Sequence, residues 1–246
     1  MFRYQILIEY VGSNFRGWQV QTKGKTVQGL IQEKISKLLK EKIIVTGSGR
    51  TDSGVHAINQ VANFHINNQS TINMIGLKNK LNSILYKYIK IKACERVKDD
   101  FHSQYDCKEK VYMYRIKINS SCSVFEEGRF WFIKRGIDIN KIKKVTSLFV
   151  GKIDFQNLCK VGYSGETTIR NLKRISVKQK GDYIDLVITG NGFLRGMVRL
   201  IVGCLINYEK GLISKKDIGL ALKNKKKLKL NYSAPAEGLY LYKVKY

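Results

Sequence analysis

Gly47-Ser48-Gly49-Arg50-Thr51-Asp52-Ser53-Gly54-Val55-His56-Ala57 sets three glycines around one acidic residue, with an arginine two positions before it. Glycine permits tight turns and the close approach of another backbone or a ligand. A carboxylate in such a loop can serve as nucleophile, base or metal ligand. A phosphate-cradling loop is the competing motif and fails on spacing, since Gly-x-x-x-x-Gly-Lys-Ser/Thr is absent. On spacing alone, an ordinary polar turn stays open beside these readings.

Outward from this loop the chain alternates strands and helices. Residues 3–10 alternate apolar and polar and read as a half-buried strand. Residues 26–40 carry Val27, Leu30, Ile31, Ile35, Leu38 and Leu39 at helical spacing, behind Thr26 as N-cap. Ile43-Ile44-Val45 begins a second strand that breaks at the glycine loop and resumes from Val55 to Ile66. A weaker helix is expected over 74–85 and a strand over 88–97. Further on, strands are expected over 111–118, 169–178, 182–189 and 239–245, and helices over 138–150, Phe193 to Tyr208 and Lys215 to Leu222. This order lacks the strict alternation of a doubly wound sheet. It predicts an α+β fold: two similar α/β lobes, 1–104 and 105–246, sharing a largely antiparallel sheet with a central cleft.

Charge is the strongest signal in the composition. The 246 residues hold 45 Lys and Arg against 19 Asp and Glu, a net +26. Such a surface repels itself unless it meets a polyanion, and nucleic acid is the natural one. An AT-rich genome, which enriches lysine, asparagine and isoleucine together, accounts for part of the excess. Five lysines stand within Lys223-Asn224-Lys225-Lys226-Lys227-Leu228-Lys229, either as a solvated loop or as a tether for an RNA backbone. Lys34, Lys37 and Lys40 read as the solvent-facing side of the first helix. Five scattered cysteines and three histidines offer no Cys-x-x-Cys pair, so reduced thiols and no metal are expected. No apolar run is long enough to span a membrane and the N-terminus lacks a signal-peptide layout, so a cytoplasmic location is expected.

Residues 49–57 resemble the signature of the TruA family of tRNA pseudouridine synthases. Four further segments, in order, are similar to that family: Phe15-Arg16-Gly17-Trp18-Gln19 with Thr26-Val27-Gln28; Asp100-Phe101-His102 with Tyr112-Met113-Tyr114-Arg115; Asn191 to Arg199; and Ala234 to Leu241. The resemblance implies that a uridine in tRNA is detached from its ribose at N1, rotated and rejoined through C5, at positions 38–40 of the anticodon stem-loop. No cofactor or metal is implied, and a homodimer is.

By the same resemblance Asp52 is the catalytic nucleophile and Arg199, in Met197-Val198-Arg199, its ion-pair partner. Tyr112 contacts the target base, where an aromatic ring can stack on a flipped uracil. Arg50 holds the extruded nucleotide's phosphate or fills the gap it leaves. Arg195, four residues before Arg199, is expected on the same helix face, contacting phosphate or only aiding solubility. Tyr114 reads as core and His56 as a hydrogen-bonded structural residue. The chain departs from the family at Ser103-Gln104, where Ala-Arg is usual, around Tyr86, where a proline and an acidic residue are missing, and at Arg195-Gly196. These departures keep two alternatives open: a related synthase acting on another RNA such as rRNA, and a non-catalytic RNA-binding protein.

Overall fold

The computed structural model describes residues 2–67, 73–85, 87–118, 122–162, 165–228 and 230–246. Tyr86 and Lys229 of the features above lie outside them. By packing, the chain forms two compact units, Met1–Lys108 with Tyr240–Tyr246, and Glu109–Leu239.

The first unit opens with strand β1 (Phe2–Tyr10), which buries alternate residues Tyr4, Ile6, Ile8 and Tyr10. It lies antiparallel between β3 (His56–Ile66) and β4 (Ile89–Arg96). The final strand β10 (Leu239–Lys245) pairs parallel with β3, matching Tyr240 to His56 and Leu241 to Ala57. Helix α1 (Val27–Leu39) begins where the Thr26 side chain accepts from the Gly29 N–H at 3.2 Å, and buries Val27, Ile31 and Ile35. Lys40 ends it at φ 53°. Helix α2 (Met74–Leu85) buries Leu77, Leu81 and Leu85.

One expected strand is almost absent. Only Thr46–Gly47 (β2) joins the ladder, against β3. Polar side chains of α1 take the upstream backbone bonds instead. Ser36 accepts from the Ile43 N–H at 2.9 Å, Gln32 accepts from the Val45 N–H at 3.1 Å, and Gln28 donates to the Val45 carbonyl at 2.7 Å. Backbone groups satisfied this way need no partner strand.

The second unit holds β5 (Glu109–Ile118), β9 (Tyr183–Gly190), β8 (Ile169–Lys180) and β7 (Gly151–Asp154), side by side in that order and antiparallel throughout. The short β6 (Trp131–Ile133) runs parallel to β5. Helix α3 (Ile139–Thr146), capped by Asp138, gives way to a tighter turn over Ser147–Phe149 rather than continuing to residue 150. Helix α4 (Met197–Glu209) is buried almost all round, and α5 (Lys215–Leu222) starts with a Ser214–Asp217 capping box. The protein is thus a mixed α+β fold with mostly antiparallel strands, as its sequence predicts.

Helix α4 starts four residues later than the pattern suggests. Gly196 sits at φ 69°, a left-handed conformation that ends one turn before the helix begins. Arg195 therefore lies in the preceding turn, exposed, and does not share a helix face with Arg199. Apolar spacing runs continuously through this region because Leu194 is buried as part of the turn.

Candidate active site

The loop between β2 and β3 carries Arg50 and Asp52. Its backbone is fastened from several directions. Ser48 donates its N–H to the Val61 carbonyl at 2.7 Å and its hydroxyl to Gln60 Oε1 at 2.6 Å. Gln60 in turn donates to the Gly49 carbonyl at 2.9 Å. On the other flank the Trp18 N–H donates to the Thr51 carbonyl at 3.1 Å, and Ser53 Oγ donates to the Phe15 carbonyl at 3.2 Å. Tyr10 and Thr51 share a hydroxyl–hydroxyl bond of 2.8 Å. Burial pushes the Tyr10 hydroxyl well above its usual range, only partly offset by Thr51 and Gln60, so it stays neutral.

Gly17 forms the back wall. A Cβ there would stand 2.5 Å from the Thr51 carbonyl oxygen, and its φ of +88° is one that side-chain-bearing residues rarely adopt. The segment around Gly17-Trp18, seen in the sequence only as a matching motif, is therefore the surface on which the Asp52 loop rests. Within this frame Asp52 is half-buried and Arg50 is exposed.

His56, at the start of β3, is buried, accepts the Gly12 N–H on Nδ1 at 3.1 Å and stacks on Tyr240 at 4.8 Å. Both contacts make it structural. Ser103, at the first departure from the family pattern, is fully buried. Its N–H donates to Asn63 Oδ1 at 2.9 Å, its hydroxyl to the Thr46 carbonyl at 2.7 Å, and its carbonyl accepts from Tyr246 at 2.7 Å. Gln104 beside it is exposed.

The second unit places Tyr112 and Tyr114 two residues apart on β5, and so on one face of that strand. Tyr112 is 7% exposed and meets Phe193 edge-on at 4.9 Å. Arg199 lies in the first turn of α4 and is half-buried. Its Nε donates to the Ala234 carbonyl at 2.6 Å while the Ala234 N–H donates to the Arg199 carbonyl at 3.1 Å. The strap carrying Ala234 passes so close to α4 that a Cβ on Gly203 would come within 1.8 Å of the Tyr232 carbonyl oxygen. Tyr114 donates its hydroxyl to the Pro235 carbonyl at 2.8 Å. Burial raises the Tyr114 hydroxyl far above its usual range; Arg199 pulls it back and Glu237 pushes it further. Ala234 and Pro235 thus tie this strap to Arg199 and Tyr114.

Among the described residues, no group of three or more His, Cys, Asp or Glu is placed to hold a metal ion. No helix among them is long and apolar enough to cross a membrane.

A family model described as "tRNA pseudouridine synthase" matches residues 6–106 and 145–246. The chain belongs to the tRNA pseudouridine synthase family. Similar relatives cover the chain end to end. The tRNA pseudouridine synthase A of Pelagibacter ubique is 38% identical over the whole of both chains. The tRNA pseudouridine synthase A 1 of Protochlamydia amoebophila is 38% identical over all of this chain and 97% of its own. The tRNA pseudouridine synthase A of Thermodesulfovibrio yellowstonii is 36% identical, again over the whole of both chains. Membership makes the chain an RNA pseudouridine synthase, an isomerase.

Proposed function

We propose that the protein converts uridine to pseudouridine at positions 38–40 of the tRNA anticodon stem-loop, with Asp52 as nucleophile. The observation that carries this reading is the Asp52 loop, tied by hydrogen bonds on both flanks while its carboxylate stays half-buried rather than sealed in the core. Preorganisation of this kind keeps a nucleophile in a near-attack position.

In the reaction the C1′–N1 bond of the uridine breaks and a C1′–C5 bond forms. C5 gives up its proton and N1 gains one, so nothing is oxidised or reduced. Asp52 must be ionised to act, and in a site closed to water it needs a cation beside it. Arg199 is the proposed ion-pair partner, and the Ala234 carbonyl orients its guanidinium. Tyr112 contacts the target base, its ring braced by Phe193. Arg50, exposed on the same loop as Asp52, takes the phosphate of the extruded nucleotide or the space it leaves. Extruding a base costs a few kcal/mol, which phosphate contacts across a +26 surface offset. The enzyme works as a cytoplasmic homodimer; its free cysteines suit a reducing compartment.

A second reading, action on another RNA such as rRNA, is favoured by one observation. Exposed Gln104 stands where the family usually has an arginine, removing a cation from the RNA-facing repertoire. Mapping pseudouridine in unmodified total RNA after incubation with the protein separates the two. Product at positions 38–40 of tRNA supports the first, product only in rRNA supports the second, and none at all leaves a binding protein. Asp52→Ala should bind tRNA like the parent and form no product; turnover by that variant removes Asp52 as nucleophile. In solution the dimer should run at twice the 28.3 kDa chain mass, and a monomer refutes it.

A further inference from the structure

The segment after α5 concentrates charge that the proposed site does not use. Lys223, Lys225, Lys226 and Lys227 fall within five residues, and all four are exposed. The backbone beneath them is fixed. The Lys223 N–H donates to the Gly219 carbonyl at 3.2 Å and the Lys225 N–H to the Leu220 carbonyl at 2.9 Å. Asn224 adopts φ 56°. Its side chain donates to Asp154 Oδ2 at 2.7 Å and accepts from Asn157 Nδ2 at 3.1 Å. Leu228 closes the segment by burying its side chain.

Lysines on a pinned backbone cannot spread apart as they would on a loose tail. Lysine at a helix C-terminus also offsets the macrodipole, but that effect fades within the last turn, so it explains Lys223 and not Lys225 to Lys227. Nearby carboxylates do little to balance the cluster. Asp217 lies 3.9 Å from Lys226 but is committed to the Ser214 cap, and Asp154 accepts from Asn224 and Thr168. Four like charges held together are unfavourable until a polyanion releases its counterions against them. Lysine, a compact point charge, suits phosphate rather than the bidentate reading of a base edge.

We propose that the Lys223–Lys227 loop binds the phosphate backbone of the RNA substrate, contributing affinity and salt dependence but no base reading. This rests on the reading of the protein as a tRNA-modifying enzyme. The test is K225Q/K226Q/K227Q, compared with the parent for binding to an unmodified tRNA transcript across a range of KCl. Each neutralised phosphate contributes about 0.7–0.9 to the slope of log K against log salt, so the triple variant should flatten it by about 2 to 3. Binding at low salt should weaken about tenfold or more, and kcat/KM should fall through KM. The lysines are exposed, so thermal melts should match the parent. K37Q/K40Q/K42Q removes the same net charge from exposed positions in the last turn of α1 and just beyond it, and should leave the slope unchanged. An unaltered slope in the first variant overturns the proposal, as does equal flattening in the second, which would mean diffuse charge. Loss of binding to anionic vesicles with tRNA binding intact also overturns it. A parent protein that binds tRNA with the expected slope yet forms no pseudouridine defeats the enzymatic reading and leaves this one standing.

Discussion

Gly17→Ala tests whether the Asp52 loop owes its position to the segment behind it. The new Cβ would sit 2.5 Å from the Thr51 carbonyl oxygen and 3.1 Å from the Asp52 carbonyl carbon. Both neighbours are backbone, so the loop must move by several tenths of an ångström or more. The φ of +88° adds strain of about 1–2 kcal/mol for a residue with a Cβ. Together these should cost about 2–3 kcal/mol and, for a chain this long, lower Tm by about 4–12 °C. The catalytic effect should be larger than the loss of folded protein explains. A displacement approaching 1 Å at a reacting group costs about 100-fold, so kcat should fall about 10- to 100-fold at temperatures where the variant is fully folded. Gly181→Ala is the companion. It has φ +56° and nothing within 4 Å of where its Cβ would stand, so it carries strain without collision. It should lose about 1 kcal/mol and keep its kcat. The assay is tritium release from 5-³H-uridine tRNA, alongside thermal melts. Unchanged kcat in Gly17→Ala, or an equal kcat loss in Gly181→Ala, refutes the buttress.

Tyr114→Phe removes the hydroxyl that clamps Pro235 and should destabilise by about 1 kcal/mol; if the clamp orients Arg199, kcat drops more than KM rises in steady-state assays. His56→Phe leaves the buried Gly12 N–H without its acceptor and should cost about 1–3 kcal/mol in denaturant melts. The Glu209 carboxyl is pulled up by burial, but Arg135 and the Asp138 N–H outweigh this and hold it below its ordinary value of 4.5. A depressed folded pKa adds stability above the unfolded value and loses it as pH falls through the folded one. The stability gap between the parent and Glu209→Gln should therefore be full at neutral pH and shrink below pH 4.5, read from urea melts at stepped pH. Burial pushes the Cys94 and Cys204 thiols up to about 12, so iodoacetamide at mildly alkaline pH should label them last in the native protein.

Much of the fold is legible in the sequence because the burial pattern follows periodicity. Alternation in β1 and the Thr26-capped stripe of α1 appear in the structure with nearly the same limits. The misreadings have local causes. Ile43 to Val45 has strand composition, yet glutamine and serine side chains from α1 satisfy its backbone, and no periodicity reports that. The start of α4 is misplaced by periodicity because Leu194 is apolar and in phase, while one glycine in a left-handed conformation breaks the helix. At the candidate site, the motifs point to Asp52 and Arg199 but are silent on what fixes them. Gly17 beneath the Thr51–Asp52 backbone and Ala234 on the Arg199 guanidinium are contacts between segments far apart in sequence.

That distribution gives two of the matching segments a structural task. Residues 15–19 support the loop that carries Asp52, and residues 234–238 clamp the arginine and the tyrosine strand beside it. A nucleophile alone could be kept by one short motif. The nucleophile proposed above and the guanidinium, each in its own unit, need separate supports, because rigidity comes from packed neighbours and not from the reacting residue. Of the departures, Gly196 sits at the start of the helix that carries Arg199, while Ser103 and Gln104 fall elsewhere. Ser103 adds one side-chain hydrogen bond, from its hydroxyl to the Thr46 carbonyl, and Gln104 changes only an exposed side chain. These two changes leave the contacts of the Asp52 loop with residues 15–18 and of Arg199 with Ala234 untouched, and Gln104 alters only the surface. A Gln104→Arg variant should therefore shift KM for tRNA and the salt slope of binding, and leave kcat where it was.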